Sequence, residues 1–232
     1  MKRRLRVFGT ALVVCGIGAL VWAVVVWRWQ DPFTALYTKI QQHRLARQYD
    51  RLVAGYHAPH LQTASLAAVR HVIAQEARRY RVATHPGQAI GRIIVPRLHL
   101  NMVLVDGTGE SALEKGPGRD LRTYMPGEGR LVYIAGHRTT FLAPFSHIER
   151  LRPADRVSLR MPYATFVYRI TGHRIVEADD LSVLRSPRHE LLGLQACHPR
   201  FFATHRYVAY AVPVKVLPEH GPAYAIKAIA SR

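Results

Sequence analysis

The sequence predicts a mainly β domain, a barrel or sandwich with short helical insertions, that follows a membrane helix and a helical segment. Three observations lead to this prediction. Residues 7–27 hold no charged side chain, residues 31–56 and 65–83 show helical spacing of apolar residues, and short β-branched runs alternate with turn residues from about 88 onward. With 232 residues, 49% of them hydrophobic and 21% charged, the chain can bury a sizeable core.

The N-terminal stretch MKRRLRVFGTALVVCGIGALVWAVVVW predicts a retained membrane anchor. As a helix, residues 7–27 would extend about 31 Å, which matches a hydrocarbon core of roughly 30 Å. A cleaved signal peptide is the alternative, but its apolar core is about 7 to 15 residues long and precedes a small-x-small site. The run here is longer and ends in Trp22, Trp27 and Trp29, which suit a membrane interface.

The distribution of charge predicts the orientation of the chain in the membrane and limits the classes of partner that it can bind. The 33 Lys and Arg against 15 Asp and Glu give a net charge of +18, which indicates an anionic neighbour, either nucleic acid or a membrane surface. Basic residues stand at positions 2, 3, 4 and 6, and only Arg28 follows the apolar run closely. We therefore expect a single pass of the plasma membrane with a cytoplasmic N-terminus, an extracytoplasmic domain and no nucleic-acid partner.

The predicted domains are residues 1–29 for the cytoplasmic tip and anchor, 30–87 for a helical juxtamembrane stalk, and 88–232 for the β domain. Pro59 separates two helices of the stalk, and the second is rich in alanine and arginine. Apolar residues of the first helix recur at mostly three- and four-residue steps: Phe33, Leu36, Tyr37, Ile40, Tyr49, Leu52, Val53 and Tyr56.

The β domain is predicted to contain short strands separated by turn-rich pieces such as EKGPGRD and YMPGEGR. The alternation predicts seven of them: Ile90–Val95, Met102–Val105, Leu131–Ala135, Arg156–Arg160, Phe166–Ile175, Leu191–Ala196 and Tyr207–Val216.

Cys197 is the most informative single residue of this domain. The other cysteine, Cys15, lies inside the predicted membrane helix, so the exported domain would hold one unpaired thiol, which is unusual in an oxidising compartment. A buried, inert cysteine is the alternative interpretation. As a nucleophile, Cys197 needs a base or a cationic partner, because the thiolate is the reactive form.

Position selects the partners of Cys197 among 13 histidines and 28 arginines. His137 follows the end of an apolar strand in LVYIAGHRTT, where a side chain can project into a cleft. His198 is expected to point to the face opposite Cys197. Arg206, nine residues after Cys197, would stabilise an oxyanion. Arg138 is expected to point away from His137 and to be structural.

No metal or cofactor is expected. The sequence holds no C-x-x-C, H-E-x-x-H or G-x-S-x-G motif and no Walker or Rossmann glycine pattern.

Together these stretches resemble the sortase family, and most closely the class E sortases of Gram-positive bacteria. The resemblance covers about residues 88–216. It rests on LEKGPG, on MPGEG, on IAGHRTTFLAPFSHIERLRPADRV and on LQACHPRFFATHRYVAYA. It implies a sortase β-barrel of about eight strands, and it makes His137, Cys197 and Arg206 the catalytic residues.

The implied function is that of a membrane-anchored cysteine transpeptidase. Such an enzyme would cleave a C-terminal L-x-x-T-G-type sorting signal between Thr and Gly and transfer the protein to an amine of a lipid-linked peptidoglycan precursor. The implied partners are proteins with a sorting signal, the precursor and the plasma membrane. A catalytically weak or inactive sortase-like protein, anchored in the membrane as a binding or scaffold protein, is an alternative. A second alternative, an L,D-transpeptidase, lacks support because its S-H-G-C-type signature is absent.

Two positions depart from the family pattern. The family typically has T-L-x-T-C before the nucleophile, whereas this chain has Gly193 and Ala196 in GLQAC, and the lost hydroxyls are expected to weaken substrate contacts. The class often has an aromatic residue after GPGH, whereas Asp120 stands in GPGRD. The preferred sorting motif is therefore left open.

Overall fold

The computed structural model describes residues 2–29 and 32–226, so the predicted junction of anchor and stalk at residues 30–31 and the predicted end of the β domain, 227–232, lie outside the described residues. The helices are α1 (Lys2–Trp29), α2 (Pro32–Ala54), α3 (Leu66–Ala83) and α4 (Glu110–Leu113), with 3₁₀ turns at Pro96–Leu98, Ile148–Arg150 and Leu181–Leu184. The strands are β1 (Ala89–Val95), β2 (Leu100–Asp106), β3 (Gly118–Arg119), β4 (Leu131–Ala135), β5 (Arg156–Arg160), β6 (Ala164–Glu177), β7 (Leu191–His198), β8 (His205–Pro218) and β9 (Tyr224–Ala225).

Strands β1 to β8 close into a barrel, which confirms the predicted fold. Their order is β6-β5-β1-β2-β3-β4-β7-β8, and β8 pairs back onto β6, while β9 adds to β8 from outside the ring. The pairs β2–β3 and β4–β7 are parallel and the others antiparallel. Strand β3 of the ring lies in a stretch that the sequence predicts as a turn. With only two residues, it is too short to show the alternating pattern that predicts a strand.

The main core fills the barrel and continues under α3. Ile134, Phe166 and Leu194 are fully buried inside the ring, and Ile73 and Ala77 of α3 belong to the same cluster. The alternation of apolar side chains predicted along the strands therefore corresponds to the inner face of the barrel. Helix α3 begins after Ser65, whose hydroxyl accepts a hydrogen bond from the backbone N–H of Ala68 at 3.3 Å, as a helix N-cap does.

Helix α2 packs on the outer face of β1 and β2. Leu45 and Tyr49 are buried in a second apolar cluster together with Val103 of β2. Both helices predicted for residues 30–87 therefore form, and both contribute side chains to apolar cores. A fragment that begins at residue 88 would lack these contacts, so experiments on this protein need the full chain.

Helix α1 precedes this assembly. Within the described residues, its Arg6–Val24 segment is the one stretch that is long and apolar enough to cross a membrane, and none of it is buried in the protein.

Candidate active site

Cys197 and Arg206 face each other across the β7–β8 pair. They are direct register partners in this antiparallel pair, which places their Cβ atoms roughly 4.5–5.5 Å apart on one face of the sheet. Their neighbours Ala196 and Tyr207 are also partners, and both are buried in the main core. The side chains of Cys197 and Arg206 therefore lie on the outer face of the barrel, at the end of β7, and both are partly exposed.

His137 approaches the same end of the barrel from β4. This strand runs parallel to β7 with Ala135 opposite Gln195, and the backbone N–H of Gly136 donates to the carbonyl of Gln195 at 3.0 Å. His137 lies two residues beyond Ala135, and Cys197 lies two residues beyond Gln195, so both stand at the same end of the β4–β7 pair. The structure thus brings the three predicted site residues to one end of three neighbouring strands.

The ring of His137 is half-buried and lacks a partner for one nitrogen. It packs against Phe141, with ring centroids 5.0 Å apart, and its Nε2 is buried without a hydrogen bond in the part of the chain that the structure describes. Burial lowers the pKa of His137, and the nearby carboxylates of Glu114 and Glu110 oppose this effect without reversing it. The imidazole is therefore mostly neutral at neutral pH, and can accept a proton at Nε2.

The guanidinium of Arg206 is oriented by the loop between β7 and β8. Its Nη1 donates to the carbonyl oxygens of Ala203 at 2.8 Å and His205 at 3.0 Å. Its Nε and Nη2 make no hydrogen bond to any described residue, so their three N–H groups remain for a substrate oxygen.

Arg138 connects the strand of His137 to the strand of Cys197. Its Nη1 donates to the backbone carbonyl of Cys197 at 3.0 Å and lies 2.9 Å from Nδ1 of His198, while its Nη2 donates to Glu149 at 2.8 Å. The side chain is only 5% exposed. Burial and, after it, the charge of Arg138 lower the pKa of His198, so a neutral His198 accepts from Arg138. Arg138 is a positioning residue that fixes the backbone of Cys197.

Sequence reasoning assigned Arg138 a structural role but gave no signal for its partner Glu149. The acidic residue lies eleven positions further along the chain, in a 3₁₀ turn. The Nε of Arg138 is also buried, without a hydrogen bond to any described residue.

Ala196 and Gly193 depart from the family pattern for different reasons. Ala196 is 1% exposed and packs in the main core, so a hydroxyl there would face the barrel interior, and the expected loss of a substrate contact does not apply to it. Gly193 lies under a tyrosine, because a Cβ there would stand 2.6 Å from Cδ2 of Tyr133. The Tyr133 hydroxyl donates to Oε1 of Gln195 at 2.8 Å, so the ring that excludes a side chain at position 193 is itself bound to β7, two residues before Cys197.

Asp120 does not present its carboxylate as a free group. It is 5% exposed, and its Oδ2 pairs with Nη2 of Arg122 at 2.7 Å. The residue orders its own turn by also accepting from the backbone N–H of Arg122. Among the described residues, no group of three or more His, Cys, Asp or Glu side chains is placed to hold a metal ion.

Comparison with known proteins identifies the family. The family model of the sortase domain matches residues 93–214, which is more than half of the chain and includes all three residues of the candidate site. The chain belongs to the sortase family. This confirms the family that the motifs around His137 and Cys197 predict.

Individual relatives show how far the sortase likeness extends. The chain is 33% identical over 129 residues to sortase D of Bacillus subtilis, covering 53% of this chain and 63% of that protein. It is 25% identical over 149 residues to sortase SrtE1 of Streptomyces coelicolor, covering 57% and 42%. The chain thus spans less than two thirds of these curated relatives. Because the higher identity of the two is to a sortase D, class E membership has only weak support.

A solved structure shares the sortase fold over most of the chain. The Clostridium perfringens sortase D5 transpeptidase superposes with a TM-score of 0.61 at 20% identity, covering 75% of this chain and 98% of that chain. The superposition covers 75% of this chain, which is a larger share than the family match at residues 93–214, so the structural likeness extends beyond those residues.

Proposed function

We propose that this protein is a membrane-anchored cysteine transpeptidase of the plasma membrane with an extracytoplasmic catalytic domain. It cleaves C-terminal L-x-x-T-G-type sorting signals between Thr and Gly and transfers the protein to an amine of a lipid-linked peptidoglycan precursor. The observation that supports this most is the register pairing of Cys197 with Arg206 at the end of the β4–β7 pair that His137 follows. A thiol, a cation and an imidazole at one strand end are the groups that acyl transfer through a thioester needs.

In the first step, the thiolate of Cys197 attacks the carbonyl carbon of the threonine. The C–N bond to glycine breaks, a thioester forms, and His137 gives a proton to the leaving amine. Because the pKa of His137 is lowered, its imidazolium is a minor species at neutral pH and readily gives up its proton. The free donors of Arg206 stabilise the oxyanion, an effect worth roughly 3–4 kcal/mol when such a donor is removed.

In the second step, the acceptor amine attacks the thioester carbon. Nε2 of the now neutral His137 takes the proton of the amine, an amide bond forms as the C–S bond breaks, and the Cys197 thiolate and the His137 imidazolium are restored. Arg138 acts through the backbone of Cys197, since its hydrogen bond to that carbonyl keeps the sulfur in one place during both steps.

The membrane topology is part of the same proposal. The exposed apolar segment Arg6–Val24 supports an anchor that crosses the membrane once, with the basic N-terminus in the cytoplasm. The division into anchor (1–29), juxtamembrane helices (30–87) and catalytic domain (88–232) is retained, with the helices packed on the barrel.

The test uses the full chain in detergent with L-A-x-T-G and L-P-x-T-G peptides and a soluble amine. We expect cleavage after threonine and an amide product with the wild type, loss of both with Cys197→Ala, and full activity with the matched control Cys15→Ala. If neither peptide is cleaved, or if Cys197→Ala stays active, the enzyme proposal fails. A sortase-like membrane-anchored scaffold would then be the better description.

A further inference from the structure

The start of α2 carries an apolar stripe that is largely exposed. The stripe consists of Phe33, Leu36, Tyr37 and Ile40, which lie on one helix face because they are three and four residues apart. Leu36 and Ile40 are 59% and 46% exposed, and Phe33 is 72% exposed. The predicted apolar face of α2 is therefore divided, because its later part packs on β1 and β2 while the stripe stays outside.

Basic residues follow the stripe along the exposed side of α2. Lys39, His43, Arg44 and Arg47 are all exposed, and no acidic residue precedes Asp50 in this helix. An apolar stripe that leads into cationic side chains is typical of a helix that lies in a membrane interface, with apolar groups in the acyl region and cations at the phosphates.

A contact with α1 relates the stripe to the proposed membrane helix. The rings of Trp22 and Phe33 lie 5.6 Å apart, and Trp22 belongs to the Arg6–Val24 segment, near its end. If this segment crosses the bilayer, Phe33 lies at the outer edge of the hydrocarbon core. The axis of α2 then leaves that edge with Leu36 and Ile40 still beside the headgroups.

We propose that the stripe of α2 binds the outer surface of the same anionic bilayer that α1 crosses. The catalytic domain then docks on the membrane and does not stand away from it on a stalk. This inference rests on the membrane anchoring in the proposed function, and adds a second lipid-binding surface on the folded domain.

Docking of the stripe brings the active site to the bilayer. Thr34 of α2 accepts a hydrogen bond from the backbone N–H of Phe141 at 3.2 Å, and the ring of Tyr37 packs edge-on against Phe141 at 6.4 Å. Phe141 in turn packs on His137. The helix at the membrane surface is thus one residue away from the candidate base, and an amine on a lipid headgroup reaches the site without leaving the bilayer.

The loop between β7 and β8 provides a second apolar contact at this end of the barrel. It follows Cys197 and exposes Phe201 by 50% and Phe202 by 79%, beside the cationic Arg200. Two exposed aromatic rings next to an arginine suit the headgroup region of a bilayer.

The first test measures contact with lipid in the full chain. Single-cysteine variants Leu36→Cys and Ile40→Cys, made on a Cys15→Ser, Cys197→Ala background, carry a bimane probe in nanodiscs of phosphatidylcholine and phosphatidylglycerol with headgroup nitroxide lipid. Val82→Cys is the control, because Val82 is 74% exposed on α3, which packs at the opposite end of β4. We expect several-fold stronger quenching at positions 36 and 40 than at 82.

Three outcomes would overturn the proposal. One is quenching at positions 36 and 40 no stronger than at 82, and another is failure of the chain to enter nanodiscs. The third is an intermolecular disulfide in the unlabelled Leu36→Cys variant together with no quenching in the labelled one, which would assign the stripe to a second copy of this chain. Quenching needs no turnover, so this result is independent of whether the protein is a transpeptidase.

A second test measures the consequence for transfer. The double variant Leu36→Glu, Ile40→Glu is expected to lose several-fold in transfer to a membrane-embedded lipid amine and to keep the wild-type rate with a water-soluble amine. Val82→Glu should leave both rates unchanged. Equal loss with both amines would contradict docking, because it would mean that the substitutions disturb the site itself.

Discussion

At the scale of single residues, the candidate site depends on how two strands hold His137 and Cys197 next to each other. The parallel β4–β7 pairing brings both residues to one end of the barrel, and the buried Arg138 links the Cys197 carbonyl to Glu149. A lysine cannot replace this guanidinium, since only arginine offers a planar fork to several acceptors. The backbone of Cys197 is therefore held by a side chain with three hydrogen-bond partners.

The lowered pKa of His137 gives a first prediction. We expect its NMR titration midpoint in the full chain to lie below the value of about 6.5 for a free histidine, because burial disfavours the imidazolium. Glu114→Gln should lower the midpoint further, since its carboxylate opposes this effect, and Glu219→Gln should not. A midpoint at or above the free value would contradict the burial of this ring.

The same shift has a defined effect on stability. Below the free-histidine pKa the unfolded chain binds a proton at His137 that the folded chain resists, so unfolding becomes easier as pH falls. The contribution of His137 is fully present above about pH 6.5 and is lost as pH decreases through its folded pKa. A His137→Gln variant should show a weaker loss of melting temperature between neutral and mildly acidic pH than the wild type.

Gly193 gives a second prediction. Gly193→Thr, which restores the family residue, is expected to lower the free energy of unfolding by about 1–3 kcal/mol, because its Cβ would overlap Tyr133. Adding Tyr133→Ala should recover part of this loss in a double-mutant cycle. Gly172→Thr is the control, since a Cβ there meets nothing within 4 Å. Additive effects of the Gly193 and Tyr133 substitutions would refute the steric argument.

At the scale of elements, α2 is bound to the barrel by a side chain that replaces a strand partner. The Gln42 carboxamide accepts from the backbone N–H of Val103 at 2.7 Å and donates to the carbonyls of Val103 at 3.1 Å and Lys115 at 2.8 Å. These are the bonds that a neighbouring strand would make with β2. The short β3 pairs with β2 only from Val105 onward, so Gln42 completes the ladder where β3 is missing.

Gln42 gives a third prediction. Gln42→Leu leaves a backbone N–H and two carbonyl groups without their partner, and should lower the free energy of unfolding by about 1–3 kcal/mol. Denaturant unfolding of the full chain measures this, with the exposed Gln48→Leu as the matched control. If the two variants are equally stable, α2 is not fixed to the barrel through Gln42.

These elements also show what the sequence could and could not predict. The strands β4 and β5 form at the predicted residues. Strand β5 alternates, with one apolar face in the main core, whereas β4 is buried on both faces between the main core and another apolar cluster. Strand β3 and the division of α2 could not be predicted, since two residues show no period and a helix pattern does not say which apolar residues become buried. The contacts of Arg138, Tyr133 and Gln42 depend on strand register, which no local pattern specifies.

At the scale of the whole molecule, one end of the barrel collects the functional features. The candidate site, the start of α2 and the β7–β8 loop all lie there, and α1 leads into that end through Trp22 and Phe33. The opposite end is closed by α3, whose Arg81 pairs with Glu128. This polarity supports a protein whose reaction takes place next to a membrane.

The central claim is that Cys197 is the nucleophile of an acyl transfer, and intact-protein mass spectrometry tests it most directly. The full chain is mixed with a sorting-signal peptide, without acceptor amine, and quenched in acid. We predict an adduct with the mass of the peptide up to threonine, located on Cys197, released by added amine and absent in Cys197→Ala. An adduct at any other residue, or cleavage of the peptide with no adduct in wild type and His137→Ala alike, would contradict the account.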